Sequence, residues 1–172
     1  MNYFQQKVGI GRDPATNMLE VEGTASKTSA TSWLANSDAR IKTNVNTITN
    51  ALETLNKVRL VDFKYTEEYC KNHPIIKDHR YMNVIAQEFA KVFPDYVQGG
   101  GEKLKGGEEI LQVDSYPLTI YSAAAIQELN QIVRQKEAEI NDLREANRRL
   151  EERLSNVERL LKQTMPSDRS GK

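Results

Sequence analysis

From Ile126 to Thr164 the chain keeps one register. Ile126, Val133, Ile140, Asn147, Leu154 and Leu161 fall seven apart, and Leu129, Lys136, Leu143, Leu150, Val157 and Thr164 repeat that step three positions on. This is the a and d stripe of a coiled coil. At about 1.5 Å per residue, a helix over residues 120–163 is roughly 65 Å long, more than the domain in front of it could cover on one side. Such a helix needs partner helices, so the chain is expected to assemble. Asn147 at an a position fixes register at a cost in stability, and Lys136 at a d position breaks the seam. The heptads alone leave two and three strands both open.

A chain of 172 residues has room for one ordinary domain and an extension besides the coil. Its 24 basic and 24 acidic residues cancel, so no global field favours a nucleic-acid partner or an anionic membrane. A charged fraction of 28% and a mean hydropathy of −0.64 argue against membrane insertion. Cys70 is the sole cysteine, which excludes an internal disulfide and any paired-cysteine metal spacing. The N-terminus has no signal-peptide pattern and begins abruptly beside a strand-like stretch, as the C-terminal piece of a longer protein would.

Taken in order, Val8-Gly9-Ile10 and Leu19-Glu20-Val21 read as short strands separated by a turn-rich linker that contains Pro14. They cannot be stable alone. Residues 24–36 are small and hydroxylated apart from Trp33-Leu34, which suits either a flexible linker or a segment threaded past the next domain. After Lys42, the spacing of Ile48, Leu52 and Leu55 predicts a helix of about three turns, capped by Asn46 or Thr47. Residues 58–65 alternate as a strand, Met82 to Ala86 suit a buried strand, and Gln87 to Phe93 suit a short helix stopped by Pro94. Two segments flanking Gly99, Gly100, Gly101, Gly106 and Gly107 predict a hairpin with a loose tip. A phosphate loop would need the Gly-Lys-Ser/Thr ending, which this run lacks. His73 and His79 have no ligand set around them and are given neither a metal nor another role. The fold class expected is α+β: a small mixed domain of short helices and strands followed by a long C-terminal coiled-coil helix.

Four separated patches then resemble one family. They are Ser37-Asp38-Ala39-Arg40-Ile41-Lys42; Leu60 to Tyr65; Val84 to Glu88 with Phe93 to Val97; and Val113 to Tyr116 leading to Ala124 through Leu129. The family is the autocleaving C-terminal intramolecular chaperone domain of phage endosialidases, tail-fibre and neck-appendage proteins, shared with the myelin regulatory factor. Val8 to Gly11, Pro14 and Leu19 to Ala25 also resemble the segment that precedes this domain in phage fibres. The resemblance implies a homotrimer that helps an upstream fibre domain of the same polypeptide to fold and then leaves by self-cleavage. It implies a Ser37–Lys42 dyad and a scissile bond between Asn36 and Ser37, with no metal and no cofactor. It implies assembly in the host cytoplasm and a parent protein in the virion. The expected organisation is 1–36 as the end of the upstream region, 37–118 as the α/β chaperone domain, 119–164 as the coil and 165–172 as a disordered tail.

The residues themselves set conditions on that chemistry. A serine hydroxyl needs a base, and a lysine serves only when neutral, which burial or a neighbouring positive charge such as Arg40 would favour. Five residues apart is about 140° around a helix and opposite faces of a strand, so Ser37 and Lys42 meet only through a turn or between chains. Gln87 and nearby backbone amides are candidate donors to the oxyanion on Asn36. A purely local role is also open, in which Ser37-Asp38 caps a helix and Asp38 pairs with Lys42. Cleavage within one chain or between chains, a non-cutting trimerisation domain, and the release segment of a membrane-tethered regulator all remain compatible with the sequence.

Overall fold

The structure is a computed structural model and describes residues 5–14, 16–28 and 34–164. Trp33 and the tail beyond residue 164 lie outside the described residues. The chain divides into two units, Met1–Ala125 and Ile126–Lys172.

In the first unit, β1 (Val8–Ile10) and β2 (Leu19–Val21) pair in parallel, with Val8 opposite Leu19 and Ile10 opposite Val21. The linker between them is therefore a loop that returns the chain to its starting end. The carboxylate of Glu20, 6% exposed, accepts from the backbone N–H of Thr16 at 2.6 Å and of Asn17 at 2.7 Å and so holds the loop's closing turn.

The helix expected from Ile48 onward is shorter and later. It is α1 (Ala51–Asn56), and Ile48 lies in the irregular stretch before it. Neither Asn46 nor Thr47 caps it; Asn50 does the turning with φ 55° and no side-chain cap bond. Asparagine tolerates that left-handed backbone where most residues do not. The strand expected over 58–65 contracts to β3 (Val61–Phe63), which pairs antiparallel with β4 (Tyr81–Asn83). Between them is α2 (Glu67–Asn72), whose N-cap Thr66 accepts from the Tyr69 N–H at 3.2 Å. Ala86, expected at a strand end, opens α3 (Ala86–Phe89), which stops four residues before the expected end at Phe93.

The expected hairpin is present as β5 (Val97–Lys103) and β6 (Glu109–Val113). Its register shifts between Gly99 and Lys103, and Gly101 takes φ 74° there. A side chain on Gly99 would run into the Glu109 carboxylate, and one on Gly100 into Gln112. The glycine run is thus a bulged strand packed closely against its partner, which explains its composition without a phosphate.

Val84, Phe89 and Phe93 form the buried cluster at the centre of the core, with Val58, Val92, Val97, Val113, Leu118 and Tyr121 packed on it. The rings of Phe89 and Phe93 are 5.0 Å apart, and Tyr121 meets Phe93 edge-on at 5.0 Å. Each such side chain contributes about 1.5–3 kcal/mol on burial. Three buried side chains make a small cluster, so polar clasps on the surface add to it. Arg59 grips Glu88 through two guanidinium nitrogens, Nε at 2.8 Å and Nη2 at 2.5 Å, tying the approach to β3 to α3. The pair raises the arginine and lowers the glutamate from their ordinary pKa values.

The C-terminal helix, α4 (Tyr116–Thr164), spans 49 residues. Asp114 accepts from the Tyr116 N–H at 2.9 Å, and Pro117 sits in the first turn, where no intrahelical N–H is needed. The second unit is the part of this helix from Ile126 on. Its stripe is uncovered in the single chain, with Ile126 67% and Leu143 64% exposed. Lys136, which interrupts the stripe, is bound to Glu139 at 2.7 Å.

Candidate active site

The turn that can bring Ser37 to Lys42 is built by Asp38. Its side chain accepts from the Arg40 N–H at 2.8 Å and starts a single 3-10 turn, Ala39–Ile41. The Lys42 N–H then closes on Ala39 O at 3.2 Å. Reversed in this way, the chain places Lys42 Nζ 2.6 Å from Ser37 Oγ, with the ammonium donating. Lys42 itself is extended, and two residues on is the left-handed Asn44 (φ 52°), whose carbonyl accepts from Asn46 Nδ2 at 3.0 Å.

The other expected site residues fall differently. Arg40 does not face Lys42 as a bare charge, because its guanidinium grips Asp38 at 3.0 and 2.6 Å. That pair pulls the Asp38 carboxyl below its usual range and raises Arg40. The local alternative, a helix cap with Asp38 paired to Lys42, is met only in the cap: the turn is 3-10, and Asp38 pairs with Arg40. Gln87 is exposed in the first turn of α3, with no hydrogen bond to Asn36 or Ser37 among the described residues. All positions from 34 to 50 are exposed in the single chain, including Leu34 at 100%, Ile41 at 65% and Val45 at 76%. No group of ligating side chains that could hold a metal occurs among the described residues.

His73, given no role from its sequence neighbourhood, is bound at both ring nitrogens. Nδ1 is 2.7 Å from Glu22 Oε1, and Nε2 is 2.7 Å from Glu102 Oε1. Those carboxylates lie 51 and 29 positions away, so no local spacing could have found them.

Residues 37–98 match the peptidase family described as "Chaperone of endosialidase". This is the family that the four patches resemble. The chain is also similar to Myelin gene regulatory factor-like A of Dictyostelium discoideum, 29% identical over 135 residues; the match covers 74% of this chain and 14% of that protein. A solved structure described as a novel intramolecular chaperon aligns with 55% of this chain and 98% of its own, at 21% identity and a TM-score of 0.38.

Proposed function

We propose that residues 37–164 are a self-releasing chaperone: they trimerise through α4, promote folding of an upstream fibre or appendage domain, and are freed by cutting between Asn36 and Ser37. The observation that carries this reading is the 2.6 Å approach of Lys42 Nζ to Ser37 Oγ across a turn built for it. In the reaction Ser37 Oγ attacks the Asn36 carbonyl carbon while Lys42 takes the hydroxyl proton and passes it to the departing Ser37 nitrogen. The amide C–N bond breaks and an ester joins Asn36 to Ser37 Oγ. Water then opens the ester, leaving a carboxylate on Asn36 and restoring the hydroxyl.

Lysine can accept that proton only when uncharged, a form that removal of water favours. In the single chain the ammonium is exposed and donates. Leu34, Ile41 and Val45, in the same stretch of chain, leave apolar side chains uncovered. Sister chains seated on this stretch would exclude water from the dyad, so assembly is the trigger and an unassembled chain is spared. The setting is the host cytoplasm during assembly, with the parent protein carried in the virion.

Neutral hydroxylamine tests the ester directly. Added during assembly, it leaves a hydroxamate on the carboxyl end of the 1–36 piece, read by mass. A free carboxylate there at high hydroxylamine speaks against an ester and hence against Ser37 as nucleophile. A second reading, the release segment of a larger regulator, is favoured by the likeness to Myelin gene regulatory factor-like A. No helix among the described residues is long and apolar enough to cross a membrane. The two readings share the cutting step and differ in what the freed upstream piece is, which sequencing of the parent reading frame decides.

A further inference from the structure

The segment upstream of the cut lies against the body it would leave. Asn17 Oδ1 accepts from Gln98 Nε2 at 3.2 Å, and the Thr16 hydroxyl donates to Gly99 O at 3.4 Å. Gly23 has φ 117°, and a side chain there would strike the Ile75 Cδ1 atom. At the centre is His73, its side chain 14% exposed, between Glu22, just after β2, and Glu102 in β5. Neutral imidazole has one N–H and can donate to one carboxylate; a ring that donates to two anions carries the proton on both nitrogens. Tyr69 holds the ring from one side, with centroids 4.2 Å apart, and its hydroxyl donates to Glu102 Oε2 at 3.4 Å.

We propose that this face of the body is a docking seat for the upstream segment, locked by a protonated His73 shared between Glu22 and Glu102, so that the segment stays bound at mildly acid pH and lets go as pH rises. The docking stands on its own; its consequence, retention of the 1–36 piece after cutting, rests on the function proposed above. Without covalent continuity, this clasp would set when the product leaves the chaperone.

The pH sense follows from the charges that face the ring. Glu22 and Arg12 approach from the upstream segment, Glu102 from β5 and Tyr69 from α2. Arg12 lies 3.3 Å from Glu20, whose charge it offsets. Burial and the Glu102 carboxylate push Tyr69 up to about 12, so its hydroxyl stays neutral near neutral pH. His73 is raised above its ordinary 6.5, first by the bond to Glu22 and further by Glu102, against the opposing effect of burial. A group raised in the docked state contributes fully below its ordinary value and loses that contribution as pH climbs through the raised one.

Hydrogen exchange on the uncut Ser37→Ala chain tests the docking. The relevant amides are Val8, which donates to Met18 O, and Glu22, which donates to Ile10 O. From about pH 6 to about pH 8.5, across the imidazole range, their protection corrected for intrinsic exchange falls about tenfold or more, the effect of losing a charged hydrogen bond. In Glu22→Gln and His73→Gln it is already low at the acid end and does not change with pH. The β5–β6 amides stay protected throughout and report that the body is folded. Equal, pH-independent protection in all three proteins overturns the proposal. In cut wild type, gel filtration retains the 1–36 piece at the acid end and loses it at the alkaline end. If wild type never cuts, the proposed cleavage falls, while the exchange result still decides the seat.

Discussion

Replacement of Lys42 by arginine will leave the 172-residue chain whole, although charge and reach toward Ser37 are kept. Arginine stays protonated at every accessible pH, so it can hold the serine hydroxyl but cannot take its proton. Loss of a positioned base costs roughly 10²–10⁴ in rate, and Ser37→Ala, which removes the nucleophile, ends the reaction altogether. Time courses on gels, with Lys42→Ala beside Lys42→Arg, read the effect. Cutting by Lys42→Arg at the wild-type rate would assign Lys42 a holding role and remove it as the base. Asp38→Ala and Arg40→Ala are expected to slow the reaction without stopping it. Their ion pair shapes the turn, and Lys42 N–H to Ala39 O can still close it.

The second large effect lies far from the dyad. Ile140→Asp combined with Leu143→Asp places two charges per chain on adjacent a and d positions of α4. Each apolar side chain covered in a coil contributes about 1.5–3 kcal/mol, so across the three chains of the proposed trimer the lost burial is on the order of 10 kcal/mol before the repulsion of clustered carboxylates is counted. Sedimentation is expected to give monomers with the β5–β6 hairpin intact. If assembly is what excludes water from Lys42, these monomers will also fail to cut, despite an untouched Ser37 and Lys42. Monomers that cut normally would separate the chemistry from assembly and leave α4 with oligomerisation alone. Asn147, which fixes register at an a position, remains in place, so a loss of assembly is traceable to the two charges.

The long helix was legible because heptad spacing is a local signal sustained over many residues, and α4 follows it from Ile126 to Thr164. The hairpin was legible from two apolar runs around glycines. Less of the middle was. Ile48, Leu52 and Leu55 have helical spacing, yet the left-handed Asn50 delays the helix to Ala51, a backbone choice that side-chain periodicity does not carry. The joining of Ser37 to Lys42 was open in sequence because a spacing of five suits neither helix nor strand; a 3-10 turn started by Asp38 brings the two side chains together. Asp38 also engages Arg40, so the expected charge beside Lys42 is offset, and in the proposed reaction the environment of Lys42 becomes a matter of covering the stretch from 34 to 50. The His73 clasp was illegible in principle, since its three members meet only once β2, α2 and β5 are folded together.

Self-release at the head of an assembled chaperone is tested most directly by the intact mass of freshly folded wild-type protein, taken together with its sedimentation. The expected result is a trimer whose chains resolve into pieces 1–36 and 37–172, their masses together exceeding the uncut chain by one water. A folded trimer that keeps a single uncut mass on prolonged incubation would contradict it.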